Sequence, residues 1–164
     1  MEEILLEALS NSGNDVESST DKKALSRRLN YDECLRLLLD VGAQIESLRE
    51  NNIGILSVTK QDIIELSHGG FMINPDILSF KCDNNGQLRV DKPFQKAKGM
   101  APELEKIETL PTTVSYTVAY FSLKQLALDV LDIQSLSQLE PTKMFYLLER
   151  CSRDDPKDRT FVLI

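Results

Sequence analysis

The stretch Val114–Ile133 constrains the fold more than any other part of the chain. Val118, Phe121, Leu123, Leu126, Ala127, Val130 and Leu131 recur at helical spacing but cover more than one stripe. A helix built from them has to be buried on several sides, so the remaining sequence must wrap around it. With 164 residues and 41% apolar content, the chain supplies that surrounding layer as one domain, residues 1–164.

Other helices are expected on both sides of this one. Residues Glu2–Leu9 put Ile4, Leu5, Ala8 and Leu9 on one helical face, and the Ser, Asn, Gly and Asp that follow predict a flexible loop over residues 10–29. Asn30 is a good N-cap with Glu33 placed to complete a capping box, and Leu35, Leu38, Val41, Ile45 and Leu48 continue the helical period to about Asn51-Asn52. Thr59 with Asp62 reads as another cap, opening a brief helix through Ile63, Ile64 and Leu66 that His68-Gly69-Gly70 breaks. A last helix is expected to begin at Pro141 and to carry Met144, Leu147, Leu148 and Cys151.

Between these lie short extended runs from Phe71 to Val90. Asn85-Gly86 predicts a hairpin turn with positive φ at both residues. Ala101–Leu104 reads as a turn or short helix and Thr109–Thr113 as a loop. Helices outnumber strands in this reading, which gives a mainly α chain with a small β-hairpin.

Composition narrows the chemistry. Cys34, Cys82 and Cys151 are far apart and form no CxxC pair, which suits reduced core thiols in an intracellular protein. His68 is the sole histidine, so a zinc site or a cysteine–histidine nucleophile pair lacks ligands and partners. Paired with Asp62 it lacks a nucleophile, and Asp91 alone is a poor magnesium site. Tyr116, Tyr120 and Tyr146 read as core residues with wet hydroxyls. A net charge of -7 repels nucleic acid and anionic membrane surfaces and favours a basic partner. No apolar run approaches membrane-spanning length.

Several motifs occur in a telling order: Ile73-Asn74-Pro75-Asp76-Ile77-Leu78, the turn at Asp83–Gly86, Met100-Ala101-Pro102-Glu103, Phe121-Ser122-Leu123, and Asp155-Pro156 with Arg159. Together they resemble successive signatures of a protein-kinase C-lobe. The catalytic-loop positions that would hold an aspartate, a lysine and an asparagine carry Met72, Asn74 and Ile77, and no upstream Gly-rich loop or nucleotide-binding N-lobe is present. Asp91 stands at the metal-binding position but is followed by Lys92-Pro93. A lobe of this kind without catalytic residues resembles the KIND module, the kinase non-catalytic C-lobe domain of Spire-type actin nucleators. Leu29–Glu33 and Gly70–Pro75 are similar to its second helix start and to the run before its hairpin.

The resemblance implies a C-lobe-like fold without an N-lobe, no catalysis and no cofactor or metal. It also implies capture of a basic peptide, such as a formin tail or a segment of another actin-cytoskeleton regulator, in the cytoplasm. Candidate groove acids are Glu105, Glu108, Asp129, Asp132 and Glu140. Glu103 and Arg159 are implied to form a buried structural ion pair. The competing expectation is a structural subunit that scaffolds a larger complex through an apolar surface. The Phe161–Ile164 end is expected to pack against the domain or a partner.

Overall fold

Residues 22–162 are described by the computed structural model. The expected helix at Met1–Leu9 and most of the loop after it lie outside them.

The capping pattern at Asn30 opens helix α1, Tyr31–Glu50. The Asn30 side chain accepts from Glu33 N at 2.8 Å and the Glu33 carboxylate accepts from Asn30 N at 3.1 Å, so two of the amides left free at a helix start are satisfied. The apolar face of α1 buries Cys34, Leu37, Leu38, Val41, Ile45 and Leu48.

Against this face packs the apolar stretch that constrains the fold, but in three pieces. Its first residues belong to a strand, and the rest form α3 and α4 of a helical series that begins earlier in the chain. In order, α2 is Pro102–Glu105, α3 is Val118–Phe121, α4 is Leu123–Leu131 and α5 is Lys143–Cys151. The single central helix expected over this region is divided at Ser122. The buried Ser122 hydroxyl donates to Ala119 O at 2.6 Å and accepts from Val58 N at 2.9 Å, so it competes with the helical ladder where α3 meets α4. Helix α5 starts at Lys143, two residues after the expected start at Pro141. Thr142 is its N-cap, with the Thr142 hydroxyl accepting from Phe145 N at 3.3 Å, and Pro141 lies just before the helix.

The strands overturn the expectation of a mainly α chain with one small hairpin. Seven strands form three small antiparallel sheets among the described residues, and the fold is mixed α/β. The first sheet has the order β1 (Lys22–Ala24), β3 (Ile63–Leu66) and β4 (Phe71–Ile73). In the second, β2 (Ile53–Ile55) pairs with β5 (Ser79–Lys81), and in the third β6 (Gln87–Val90) pairs with β7 (Thr112–Ser115). Residues 22–24 of the expected loop are therefore a strand, and so are Thr112–Ser115, divided between an expected loop and the expected central helix. Each strand spans only three or four residues, too short to show a period of two in sequence. The expected helix after Thr59 shrinks to a 3-10 turn, Lys60–Asp62. Beyond it the β-branched Ile63 and Ile64 suit the pleated surface of β3, where Ile63 pairs with Ile73.

A small hairpin does form at Asn85-Gly86. Its arms meet through a single bridge, Cys82 to Leu88. Only Gly86 takes positive φ, at +76°. Asp83 holds the turn instead, its Oδ1 accepting from Asn85 N at 2.8 Å and Gln87 N at 2.9 Å.

Helix α1 also seals one sheet edge. Phe71 N donates to Asp40 Oδ2 at 3.0 Å, Gln44 Nε2 donates to Phe71 O at 2.9 Å, and Ile73 N donates to Gln44 Oε1 at 2.8 Å. Two helix side chains thus stand in for a neighbouring strand and leave β4 no open edge. The core falls into two clusters. The larger joins α1, α4 and α5, and the smaller gathers Leu56, Phe80, Leu88, Val90, Ala101, Leu104 and Val118 around β6 and α2. No helix among the described residues is long and apolar enough to cross a membrane.

Candidate functional site

Helix α2 opens with Pro102 in its first turn and presents Glu103 towards the end of the chain. There Asp155 caps the 3-10 turn Pro156–Asp158, and Arg159 follows it directly. The Arg159 side chain is fully buried, while that of Glu103 is 21% exposed. Its guanidinium donates to both Glu103 oxygens, at 2.5 Å and 2.9 Å, and to the Arg153 and Asp154 carbonyls at 2.7 Å and 3.0 Å. The Phe121 ring lies 4.9 Å from the guanidinium carbon and covers one face of it. This bidentate clasp ties α2 to the segment after α5, a structural role.

The five candidate groove acids are all exposed. Glu105 is the last residue of α2 and Glu108 follows it. Asp129 and Asp132 share the C-terminal end of α4, and Glu140 follows the 3-10 turn Leu136–Leu139. Asp129 Oδ1 accepts from Gln125 Nε2 at 2.8 Å. Gln125 in turn abuts Gly99, where an added Cβ would lie 2.4 Å from Gln125 Cβ, so Asp129 stands beside the loop that leads into α2. No hydrogen bond or ion pair among the described residues joins any two of the five, and none of them is in an ion pair.

A surface cavity of about 370 Å³ opens where the loop after β4 faces the loop before α2. Its apolar wall is made by Leu56, Ile77, Leu78, Phe94 and Met100, and its charged lining residues are Asp62 and Asp76. The turn after β4 is held by backbone and side chain together. Asn74 N donates to Asp62 O at 2.7 Å, and Asn74 Oδ1 accepts from Asp76 N at 3.0 Å.

The residues at kinase-like catalytic positions have other tasks here. Met72 is buried in β4, Asn74 shapes the turn, and Ile77 lines the cavity. Asp91 is exposed, and Lys92 beside it packs over the Phe80 ring at 5.1 Å. His68 is exposed, and the Asp62 carboxylate considered with it is engaged by Thr59 N and Oγ1 at 2.8 Å and 2.9 Å. Among the described residues no group of three or more His, Cys, Asp or Glu side chains is placed to hold a metal ion.

One polar network has no counterpart in the sequence reading. Glu46 Oε1 accepts from Tyr116 Oη at 2.8 Å and from Tyr120 Oη at 2.5 Å. Burial, and after it the Glu46 carboxylate, pushes the Tyr116 hydroxyl up to about 12 and raises that of Tyr120 further. The Arg49 guanidinium lies 5.1 Å from the Tyr116 ring centre, and the Phe161 ring stacks on Tyr120 at 5.4 Å. The hydroxyls of these two tyrosines therefore meet a carboxylate, whereas Tyr146 is 48% exposed.

Burial pushes the Cys34 and Cys151 thiols up to about 12, and Cys82 is raised by burial and then by Asp83. All three cysteines are free and buried. No protein-family model matches the chain, and a search of curated proteins finds no match.

Proposed function

We propose that this chain is a non-catalytic protein-interaction module that captures a basic peptide segment of a partner, the role its KIND-like motifs imply. The observation that carries the reading is the set of exposed carboxylates at Glu105, Glu108, Asp129, Asp132 and Glu140, none of which is in an ion pair among the described residues. Binding at such groups breaks no ion pair among the described residues. In a chain of net charge -7 they also attract a Lys/Arg-rich segment from a distance. Each contact is worth about 0–1 kcal/mol, so affinity comes from several acting on one peptide and weakens with salt. A formin tail, or a basic segment of another actin-cytoskeleton regulator, is the partner class to try first.

The test is a salt titration of binding to Lys/Arg-rich formin tail peptides, alongside a scrambled peptide of identical charge. The proposal expects sequence-selective binding that weakens steeply with salt. Equal binding to the scramble, or none to either, overturns it and leaves a scaffold subunit as the better reading.

A further inference from the structure

Charge alone attracts many basic peptides and selects few, so a module of this kind needs an apolar contact to define its partner. We propose that the cavity between the loop after β4 and the loop before α2 takes one large apolar side chain of the bound peptide, with a flanking Lys or Arg of that peptide meeting Asp76. This inference rests on the basic-peptide reading and adds the anchor to it.

Three observations converge on the cavity. Its volume of about 370 Å³ accommodates a leucine-, phenylalanine- or tryptophan-sized group. Leu78 at its mouth is 42% exposed, a large apolar side chain left partly in water beside Ile77, Phe94 and Met100. Its charged lining residues are two carboxylates, with no cation among the lining side chains. Of these, Asp62 is held by Thr59, while Asp76 is exposed and its carboxylate meets no hydrogen-bond or ion-pair partner among the described residues. An apolar wall beside an unneutralised carboxylate complements an apolar residue next to a cationic one. It disfavours an acidic peptide, whose charge would stand against Asp62 and Asp76.

The site is also continuous with the acidic surface. Met100 lines the cavity, and the adjacent Gly99 abuts Gln125, whose amide holds Asp129. A peptide anchored in the cavity and running past Met100 and Gly99 would reach Gln125 and Asp129. Glu105 and Glu108 follow within the α2 segment that packs with Phe94 and Met100 in the smaller core cluster.

The chain contains no tryptophan, so a tryptophan in a probe peptide reports its own environment by fluorescence. The probes are Ac-Lys-Arg-Lys-Trp-Lys-Arg-NH2 and the same peptide with alanine in place of tryptophan. Its binding is measured by competition against a dye-labelled copy of the tryptophan peptide. The protein is used as wild type and as the surface variants Leu78→Lys and Asp76→Lys, each checked for an unchanged thermal midpoint. The anchor predicts that wild type binds the tryptophan peptide at least about tenfold more tightly than the alanine peptide, with a blue-shifted emission. Leu78→Lys is expected to abolish that preference while leaving the weak, salt-sensitive binding of the alanine peptide. Asp76→Lys should weaken the tryptophan peptide more than the alanine one. Equal affinity of wild type for the two peptides, with steep salt dependence, overturns the anchor and leaves the acidic-surface reading standing. A tryptophan preference that survives in both variants places the anchor elsewhere and overturns it as well. Absence of binding by either peptide defeats both readings together.

Discussion

Replacing Glu103 by glutamine keeps the shape of the clasp and removes its negative charge. The Arg159 side chain has no exposed surface, and its remaining partners are the Arg153 and Asp154 carbonyls, both in exposed residues. Opening a buried pair from one side leaves an uncompensated charge and costs about 3–5 kcal/mol. The Glu103 side chain keeps 21% exposure, so water reaches the amide that replaces the carboxylate, and the expectation is about 3 kcal/mol, the low end of that range. For a domain of this size that is a fall of about 6–12 °C in Tm. Urea unfolding followed by circular dichroism should show a lower midpoint at unchanged slope, because the surface exposed on unfolding is the same. The variant Glu103→Met with Arg159→Met should lose less than the sum of its single changes, since neither charge is then stranded. A loss below about 1 kcal/mol for Glu103→Gln, the value of an exposed pair, would refute the reasoning.

Two further predictions rest on the contact between Gly42 and Phe161 and on the hydrogen bonds to Glu46. A Cβ at Gly42 would lie 2.2 Å from Phe161 Cζ, so Gly42→Ala should expel the ring and cost about 1–3 kcal/mol. That cost should largely vanish in a Phe161→Ala background, and strict additivity in the double-mutant cycle would contradict the contact. In the unfolded chain Tyr116 ionises at about pH 10, whereas burial and then Glu46 push it up to about 12 in the folded protein. Between those values the folded state holds a proton the unfolded state has lost, so stability is full below about pH 10 and falls as the pH rises towards 12. An ultraviolet absorbance titration should show two of the four tyrosines ionising only with loss of structure. Four ordinary titrations with intact circular dichroism would refute the network.

The parts of the fold legible in the sequence are those fixed by neighbours. Asn30 and Glu33 are three residues apart, and that spacing alone places the start of α1. The apolar repeat over Val118–Leu131 correctly required burial on several sides. What sequence did not show depends on distant partners. Ile53–Ile55 becomes a strand because Ser79–Lys81 lies beside it, and Thr112–Ser115 because Gln87–Val90 does. Ile63 and Ile64 suit a helical period as well as a pleat, and pairing with β4 decides between them. The site followed the same division. The Glu103–Arg159 contact was reached from motif order, but Glu46 with Tyr116 and Tyr120, and Gly42 with Phe161, join residues that no local pattern links. Nor does any local pattern bring Leu56, Ile77 and Met100 to one cavity.

The central claim is that exposed carboxylates capture a basic peptide, and it is tested most directly by removing their charge without changing their shape. The measurement is the affinity of a Lys/Arg-rich formin tail peptide for wild type and for a variant with Glu105→Gln, Glu108→Gln, Asp129→Asn, Asp132→Asn and Glu140→Gln together. The account predicts an affinity lowered at least about tenfold, and a flatter salt dependence, in a variant that still folds. Unchanged affinity with an unchanged salt slope would contradict it.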